Sequence, residues 1–202
     1  MTERARLGDK QETRQAIIAT ALDLIQRDGP DRFSLREIAR RIGYSPAGLY
    51  EYFDGKAEIV QAVRERAMKE FLDAMRSVPQ DLPSDDYLVR LGLAYIGFAT
   101  RHPQEFLLLL THLRGVVEES ETERDLSQGS YWYLDHAIER AIEDDVIRPD
   151  VGLQKDEAAY AMWSLAHGMA MLQVSYLREL NLDFERVDAT ALRALVAGLG
   201  AP

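Results

Sequence analysis

The chain has 202 residues, of which 47% are hydrophobic and 29% charged, a composition typical of a folded globular protein and not of a disordered or collagen-like one. It contains no cysteine, which excludes disulfides, thiol nucleophiles, zinc ribbons and iron–sulfur clusters. The formal net charge of -10 argues against a protein that coats nucleic acid through bulk electrostatics. No apolar run is long enough to span a membrane and no signal-peptide core follows Met1, so we expect a cytoplasmic protein without a membrane partner.

The charge is unevenly distributed along the chain. Residues 1–56 carry 10 basic and 9 acidic side chains, whereas residues 57–202 carry 14 basic and 25 acidic ones. The acidity therefore belongs to the later part, and the first segment is able to present a local basic face to phosphate. A solvated surface of mixed charge is the alternative reading of the same residues.

The first two predicted helices have clear ends. The first spans residues 10–28, where apolar side chains recur at steps of three and four until a Gly-Pro pair stops the pattern. The second begins after Ser34, whose hydroxyl can cap the backbone N–H of Glu37 while the Glu37 carboxylate reaches back, an arrangement called a capping box. Gly43, which tolerates a left-handed backbone, ends this helix.

A third short helix is predicted to follow at once, with Ser45 as its N-cap and Pro46 at its first position. Two short helices joined by a tight glycine turn, and braced by a longer preceding helix, have the geometry of a helix-turn-helix. The spacing separates two faces of this unit. The expected core face comprises Leu35, Ile38, Ala39, Ile42, Leu49 and Phe53. The expected presenting face comprises Arg36, Arg40, Pro46, Ala47, Tyr50 and Glu51.

The rest of the chain predicts six further helices. A long fourth helix runs to about Met75 and ends before Pro79. Five more are expected at residues 84–101, 103–113, 126–146, 155–180 and 184–199, with an acidic loop near residues 118–125. Because no segment alternates with period two over a useful length, the predicted fold class is all-α with about nine helices.

Two segments carry a family resemblance. The run SLREIARRIGYSPAGLYEYF at residues 34–53, followed by KAEI at residues 56–59, resembles the DNA-binding signature of TetR-family regulators. The likeness covers about residues 10–65. A shorter run, WSLAHGM at residues 163–169, resembles the Trp…His-Gly pattern of one class of C-terminal domains in that family. The resemblance implies a helix-turn-helix DNA-binding domain at residues 1–56 and an effector-binding and dimerisation domain at residues 57–202.

The resemblance also implies a set of DNA-binding residues. The start of the third helix would lie over the major groove with small side chains close to base edges, and the tyrosines and Lys56 would contact phosphate. Packing within the three-helix unit is the alternative for either tyrosine, and a plain surface arginine is the alternative for Arg36. The residues so implied are Arg14, Ser34, Arg36, Ser45, Pro46, Ala47, Gly48, Tyr50, Tyr52 and Lys56.

Two positions depart from the usual family pattern. Gly48 stands where a threonine is common, and Glu51 stands where histidine or another neutral residue is common. An acidic side chain near the groove repels phosphate but accepts a hydrogen bond from cytosine N4. Glu51 therefore either sets a base preference or points at Arg40, and the sequence leaves both readings open.

The later domain combines an uncharged helix with scattered aromatic residues. Residues 158–177 contain no Asp, Glu, Lys or Arg, so this helix should be covered on nearly all sides. With the final helix it resembles the helix pair through which TetR-family proteins form a homodimer. Aromatic and histidine side chains in the domain are candidates for a small, mostly apolar effector, although a core role explains each of them as well. These candidates are Phe71, Tyr95, Phe98, Phe106, Trp132, Tyr133, His136, Trp163 and His167, with His112 as a further hydrogen-bonding group.

The resemblance thus implies a homodimeric repressor that binds a pseudo-palindromic operator in double-stranded DNA and is released by its effector. We expect no cofactor and no metal. An enzyme is disfavoured because the chain lacks a phosphate-cradling Gly-Lys-Ser loop, a Gly-x-Ser-x-Gly elbow and a His-Glu-x-x-His motif. An architectural DNA-binding protein without a ligand stays open, and it would need a later domain that is packed solid.

Overall fold

The structure, a computed structural model, describes residues 3–29, 32–111, 121–150, 152–177 and 180–200, with the backbone alone at 3–9, 111 and 121–130. These residues form eight α-helices and one 3-10 turn without a strand, which confirms the predicted all-α class. The elements are α1 (Glu3–Asp28), α2 (Leu35–Ile42), the recognition segment (Ala47–Glu51, the 3-10 turn), α3 (Lys56–Arg76), α4 (Ser84–Arg101), α5 (Pro103–Thr111), α6 (Glu121–Glu143), α7 (Lys155–Ser175) and α8 (Phe184–Gly200).

Three helix ends differ from the prediction by five residues or more. Helix α1 begins at Glu3, ahead of the apolar periodicity that starts near residue 10. Helix α6 begins at Glu121, inside the predicted acidic loop, because acidic residues in a first turn are favoured by the helix dipole. Helix α7 ends at Ser175, since the Leu177 N–H bonds to the carbonyl of Leu172 at 2.9 Å and closes the helix there. Residues 112–120, which include His112 and the start of the acidic stretch, lie outside the described residues.

The chain divides into two compact units. The first comprises the described residues within Met1–Met68 and Gln104–Gly115, and the second those within Lys69–Pro103 and Val116–Pro202. Helix α3 is continuous and contributes to both units. The predicted end of the DNA-binding domain at residue 56 stays a prediction, because compactness does not measure where DNA contact ends.

The first unit has one apolar core between α1, α2, the recognition segment and the first half of α3. Burial of these apolar side chains holds the short elements in place, since neither α2 nor the recognition segment is long enough to be stable alone. The core residues are Ile17, Ile18, Ala21, Leu22, Leu24, Ile25, Phe33, Ile38, Ala39, Leu49, Phe53, Ile59, Ala62, Val63 and Leu108.

The second unit is built around α4, which packs against α6, α7 and α8. Gly92 allows a close approach between α4 and α8, because a Cβ atom placed there would lie 2.9 Å from the Leu192 side chain of α8. None of the helices in the described part of the chain combines the length and the apolar character needed to cross a bilayer.

Candidate functional site

The caps of α2 fix the start and the end of the first helix of the helix-turn-helix. The Glu37 N–H donates to Ser34 Oγ at 3.2 Å, as the sequence predicts. Gly43 adopts a left-handed backbone with φ of 74°, and the N–H groups of Gly43 and Tyr44 both bond to the carbonyl of Ala39. Only half of the predicted capping box appears, because the Glu37 carboxylate accepts from two arginines of its own helix. The turn after α2 is therefore set by local chemistry.

The predicted third short helix is a single 3-10 turn. The Gly48 N–H donates to both the carbonyl and the hydroxyl of Ser45, each at 3.0 Å, but the N-cap residue is Pro46 and not Ser45 as predicted, and the helix is shorter than predicted. Pro46 precedes the first helical residue with φ of -55°. Short connecting segments frequently adopt this tighter 3-10 geometry.

One side of the recognition segment faces outward. Ser45, Pro46 and Ala47 are exposed and the Tyr50 side chain is 59% exposed, whereas Leu49 is 1% exposed and belongs to the core. The separation into a core face and a presenting face is thus as the spacing predicts.

Gly48 lies between the two faces of the recognition segment. A Cβ atom at this position would meet Ser45 Oγ at 3.4 Å and Tyr44 Cδ1 at 3.5 Å, which are ordinary contacts. The fold therefore does not require glycine at this position.

The two tyrosines of the signature differ in their surroundings. Tyr50 points outward, while Tyr52 is half-buried beside Tyr44, their ring centroids 6.2 Å apart in an edge-on arrangement. The Tyr44 hydroxyl lies 3.2 Å from Thr13 Oγ1 on α1. We call Thr13, Tyr44 and Tyr52 the hydroxyl cluster. Neither Tyr44 nor Thr13 is among the predicted DNA-binding residues, and the fold brings Thr13 of α1 to the two tyrosines.

Three predicted cationic residues, Arg14, Lys56 and Arg36, lie in the first unit together with the recognition segment. The Arg14 guanidinium lies 4.6 Å from the centroid of the Phe53 ring, and Lys56 Nζ lies 4.5 Å from the centroid of the Phe33 ring. Such cation–π contacts hold both side chains near the core while leaving their charge in place. Arg36 is exposed and has no ion-pair partner among the residues that the structure describes.

The other arginines of α2 are engaged within the protein. Arg40 donates to the Glu37 carboxylate at 2.7 and 2.9 Å, and Arg41 donates to it at 3.0 Å and also pairs with Asp23 of α1. The hydrogen bonds from Arg40 and Arg41 lower the pKa of the Glu37 carboxyl to about 2. Arg40 therefore pairs with Glu37, and Glu51 is exposed on the recognition segment.

Five of the predicted effector residues converge in the second unit, and we call them the aromatic cluster: Phe71, Tyr95, Phe98, Trp163 and His167. Phe71 packs edge-on against the rings of Tyr95 and Phe98 at 5.5 and 5.3 Å between centroids. The Tyr95 hydroxyl lies 2.8 Å from His167 Nδ1. Burial raises the pKa of Tyr95 to about 12, against a smaller opposing effect of its hydrogen bond with Trp163. Burial lowers the pKa of His167, so both polar groups are neutral at neutral pH.

The other four predicted effector residues lie elsewhere. Tyr133 is buried and its hydroxyl accepts from Arg76 Nε at 2.9 Å. Trp132 is 52% exposed and stacks at 5.0 Å on the exposed ring of His136. Phe106 is buried in the first unit. These four residues are not part of the aromatic cluster.

A cavity of about 430 Å³ opens in the second unit beside the ends of α4 and α7 and the start of α8. The sequence analysis did not single out its lining, which is Thr100, Pro103, Gln173, Val174, Leu177 and Phe184. Gln173 Nε2 also donates to the buried carboxyl of Asp188 at 2.8 Å, and burial raises the pKa of Asp188. The pocket is open to solvent, and its lining mixes apolar side chains with the Thr100 hydroxyl and the Gln173 amide.

Comparison with known proteins gives the family. Residues 17–63 match the sequence model described as "Bacterial regulatory proteins, tetR family", and residues 88–199 match the one described as "Tetracyclin repressor-like, C-terminal domain". An HTH-type transcriptional regulator of Mycobacterium tuberculosis is 23% identical over 93% of this chain and 81% of its own length.

Two solved structures show the same fold. A protein of unknown function from Rhodococcus sp. RHA1 superposes with a TM-score of 0.82 at 20% identity, covering 93% of this chain and 95% of that one. AibR, solved with isovaleryl coenzyme A and operator DNA, has a TM-score of 0.70 at 22% identity, covering 91% and 98%. Since the C-terminal match alone spans more than half of the residues, the chain belongs to the TetR family of transcriptional regulators, which are DNA-binding proteins and not enzymes.

Proposed function

We propose that the protein is a homodimeric repressor that binds a pseudo-palindromic operator in the bacterial cytoplasm and leaves it when a small, mostly apolar effector binds. The observation that carries the proposal is the exposed face of the recognition segment, where Ser45, Pro46, Ala47 and Tyr50 project from a buried Leu49. A rigid core behind a short, exposed segment is what insertion into a major groove requires.

On DNA, the residues of this face divide into two groups. Pro46, Ala47 and Gly48 are small enough to approach base edges, and Glu51 accepts from a cytosine amino group. The phosphate contacts come from one hydroxyl donor, Tyr50, and from three cations, which are Lys56, Arg14 and Arg36. Ser34 caps α2, and its exposed hydroxyl would lie next to the phosphate backbone of the DNA.

The second unit supplies the effector site in this proposal. The aromatic cluster offers apolar rings with two neutral polar groups, and the pocket, which is lined by other residues, lies in the same unit. AibR, which shares the fold, was solved with isovaleryl coenzyme A and operator DNA together. A solidly packed unit would favour a ligand-independent architectural protein, and the effector test below distinguishes the two.

Exposed apolar side chains on α7 and α8 support the dimer. Tyr160 is 70% exposed, and Trp163, Leu172 and Val187 are also exposed on these helices. Gly168 of α7 has open space at its Cβ position, so a partner helix can approach closely there. Two-fold pairing would present two recognition segments to half-sites about 34–36 Å apart, or a multiple of that distance.

The test is selection of bound sequences from a pool of random duplexes by the purified protein at near-physiological salt, with light scattering to give the oligomeric state. We expect an enriched inverted repeat bound by a dimer. Tyr50→Phe should weaken the enriched and the unenriched duplexes alike, whereas Tyr176→Phe, a change at an exposed tyrosine of the second unit, should leave both affinities unchanged. Failure to enrich any repeat with folded, dimeric protein would contradict the operator proposal.

The effector part has its own test on the enriched duplex. Compounds that raise the melting temperature of the protein are added to the complex, and we expect the active ones to lower DNA affinity by about 5–150-fold, equivalent to a coupling of 1–3 kcal/mol. A stabilising ligand that tightens DNA binding would instead identify a co-repressor.

A further inference from the structure

The hydroxyl cluster adjoins the recognition segment, which the proposed function places against DNA. Tyr44 precedes the recognition segment directly, and its ring atom Cδ1 lies 3.5 Å from the position that a Cβ atom on Gly48 would take. Tyr44 is 41% exposed, so solvent reaches this residue beside the recognition segment. Its hydroxyl lies at the exposed contact with Thr13 of α1 and not within the core.

Two neighbours fix the orientation of Tyr44. Thr13 Oγ1 lies 3.2 Å from its hydroxyl, and the Tyr52 ring meets its ring edge-on at an interplanar angle of 81°. A side chain that is already held loses little rotamer freedom when it binds, so an interaction at its tip is stronger than one made by a mobile surface tyrosine.

The cluster combines hydroxyl donors with a cation. Lys10 Nζ lies 6.0 Å from the centroid of the Tyr52 ring, so α1 contributes both a hydroxyl and an ammonium group. A hydrogen bond with Thr13 lowers the pKa of Tyr52, but burial together with Tyr44 and Glu51 raises it above its ordinary value. The Tyr52 phenol thus keeps its proton.

We propose that Tyr44 and Lys10 form a phosphate-binding site for the DNA backbone that flanks the recognition segment, with Thr13 and Tyr52 as positioning residues. The site rests on the DNA-binding function proposed above and extends the contact surface from the recognition segment to α1.

The test compares variants on a fluorescent duplex of mixed sequence, about three helical turns long, over a range of salt concentrations. Tyr44→Phe removes only the hydroxyl, and we expect about tenfold weaker binding with an unchanged salt slope and melting temperature. Lys10→Ala should reduce the salt slope by about one per protomer. Tyr131→Phe is the matched control, because Tyr131 is 44% exposed on α6 of the second unit.

The positioning role has a separate readout. Thr13→Val should weaken binding by less than Tyr44→Phe and add nothing when combined with it, and Thr13→Ser should restore the affinity. On the duplex enriched by selection, replacing phosphates one at a time by uncharged methylphosphonates should identify one position that weakens wild type but not Tyr44→Phe.

The outcomes separate the two proposals. Equal affinity of wild type and Tyr44→Phe, or additive losses for Thr13→Val, would overturn the phosphate site while leaving the DNA-binding function intact. Absence of binding by wild type itself would overturn both.

Discussion

Two glycines of the helix-turn-helix should respond to alanine with opposite signs. At Gly48 the new methyl group would lie 3.4 Å from Ser45 Oγ and 3.5 Å from Tyr44 Cδ1, so it makes ordinary contacts in a backbone that alanine adopts without strain. Gly48→Ala reduces the freedom of the unfolded chain and should stabilise the protein by about 0.4–1 kcal/mol. At Gly43 a methyl group meets nothing within 4 Å, yet φ is +74°, and a left-handed residue with a Cβ atom costs about 1–2 kcal/mol.

Thermal unfolding by circular dichroism, at one fixed protein concentration, measures both changes. For a chain of this length the melting temperature should rise by about 1–4 °C in Gly48→Ala and fall by about 2–8 °C in Gly43→Ala. A lower melting temperature for Gly48→Ala, or an unchanged one for Gly43→Ala, would refute the reasoning. Because Gly48→Ala keeps the fold, any change in the sequences that it selects reports directly on contact with DNA.

Three further substitutions test other parts of the structure. Ser34→Ala should cost about 1 kcal/mol through loss of the α2 cap while Ser34→Thr keeps it, and equal melting temperatures for all three proteins would contradict this. Tyr95→Phe leaves His167 Nδ1 without its tyrosine partner and should cost about 1–3 kcal/mol in urea unfolding, so an unchanged midpoint would count against this contact. Burial raises the pKa of Asp188 above its ordinary 3.8, so the folded protein loses stability as pH rises through that window, and Asp188→Asn should be the more stable protein at pH 7. Because asparagine still accepts from Gln173, this advantage should disappear as the pH falls toward 3.8, and an advantage independent of pH would exclude the titration of Asp188 as its cause.

The caps and turns were predictable because their chemistry is local. A serine three residues before an acidic helix residue, and a glycine two turns later, encode the start and end of α2 within ten residues of sequence. The 3-10 form of the recognition segment was harder to foresee, since Ser45 and Gly48 are compatible with either kind of helix. Packing of Leu49 into the core decides where the short segment lies and which side of it is exposed.

The candidate sites were predictable only where helical spacing brings residues together. Trp163 and His167 are four residues apart on α7, so both reach the same neighbourhood as Tyr95 of α4. Trp132 and His136 have the same spacing and also stack, but on the solvent side of α6. Periodicity therefore identifies pairs, while the choice between a buried face and an exposed one depends on packing from other helices.

The ion pairs on α2 have a consequence for how the protein searches a genome. Arg40 and Arg41 form ion pairs with Glu37 and Asp23, and the chain as a whole carries a net charge of -10. Attraction to arbitrary DNA grows with the number of phosphates that cations neutralise, so we expect it to be weak here and each visit to an unrelated sequence to be short. A bacterial chromosome offers on the order of a million or more competing sites, and brief visits would leave few protein molecules bound to them. In the proposed function, occupancy of the operator would then depend on the few exposed residues of the recognition segment, and we expect a single substitution there to change which sites the protein prefers.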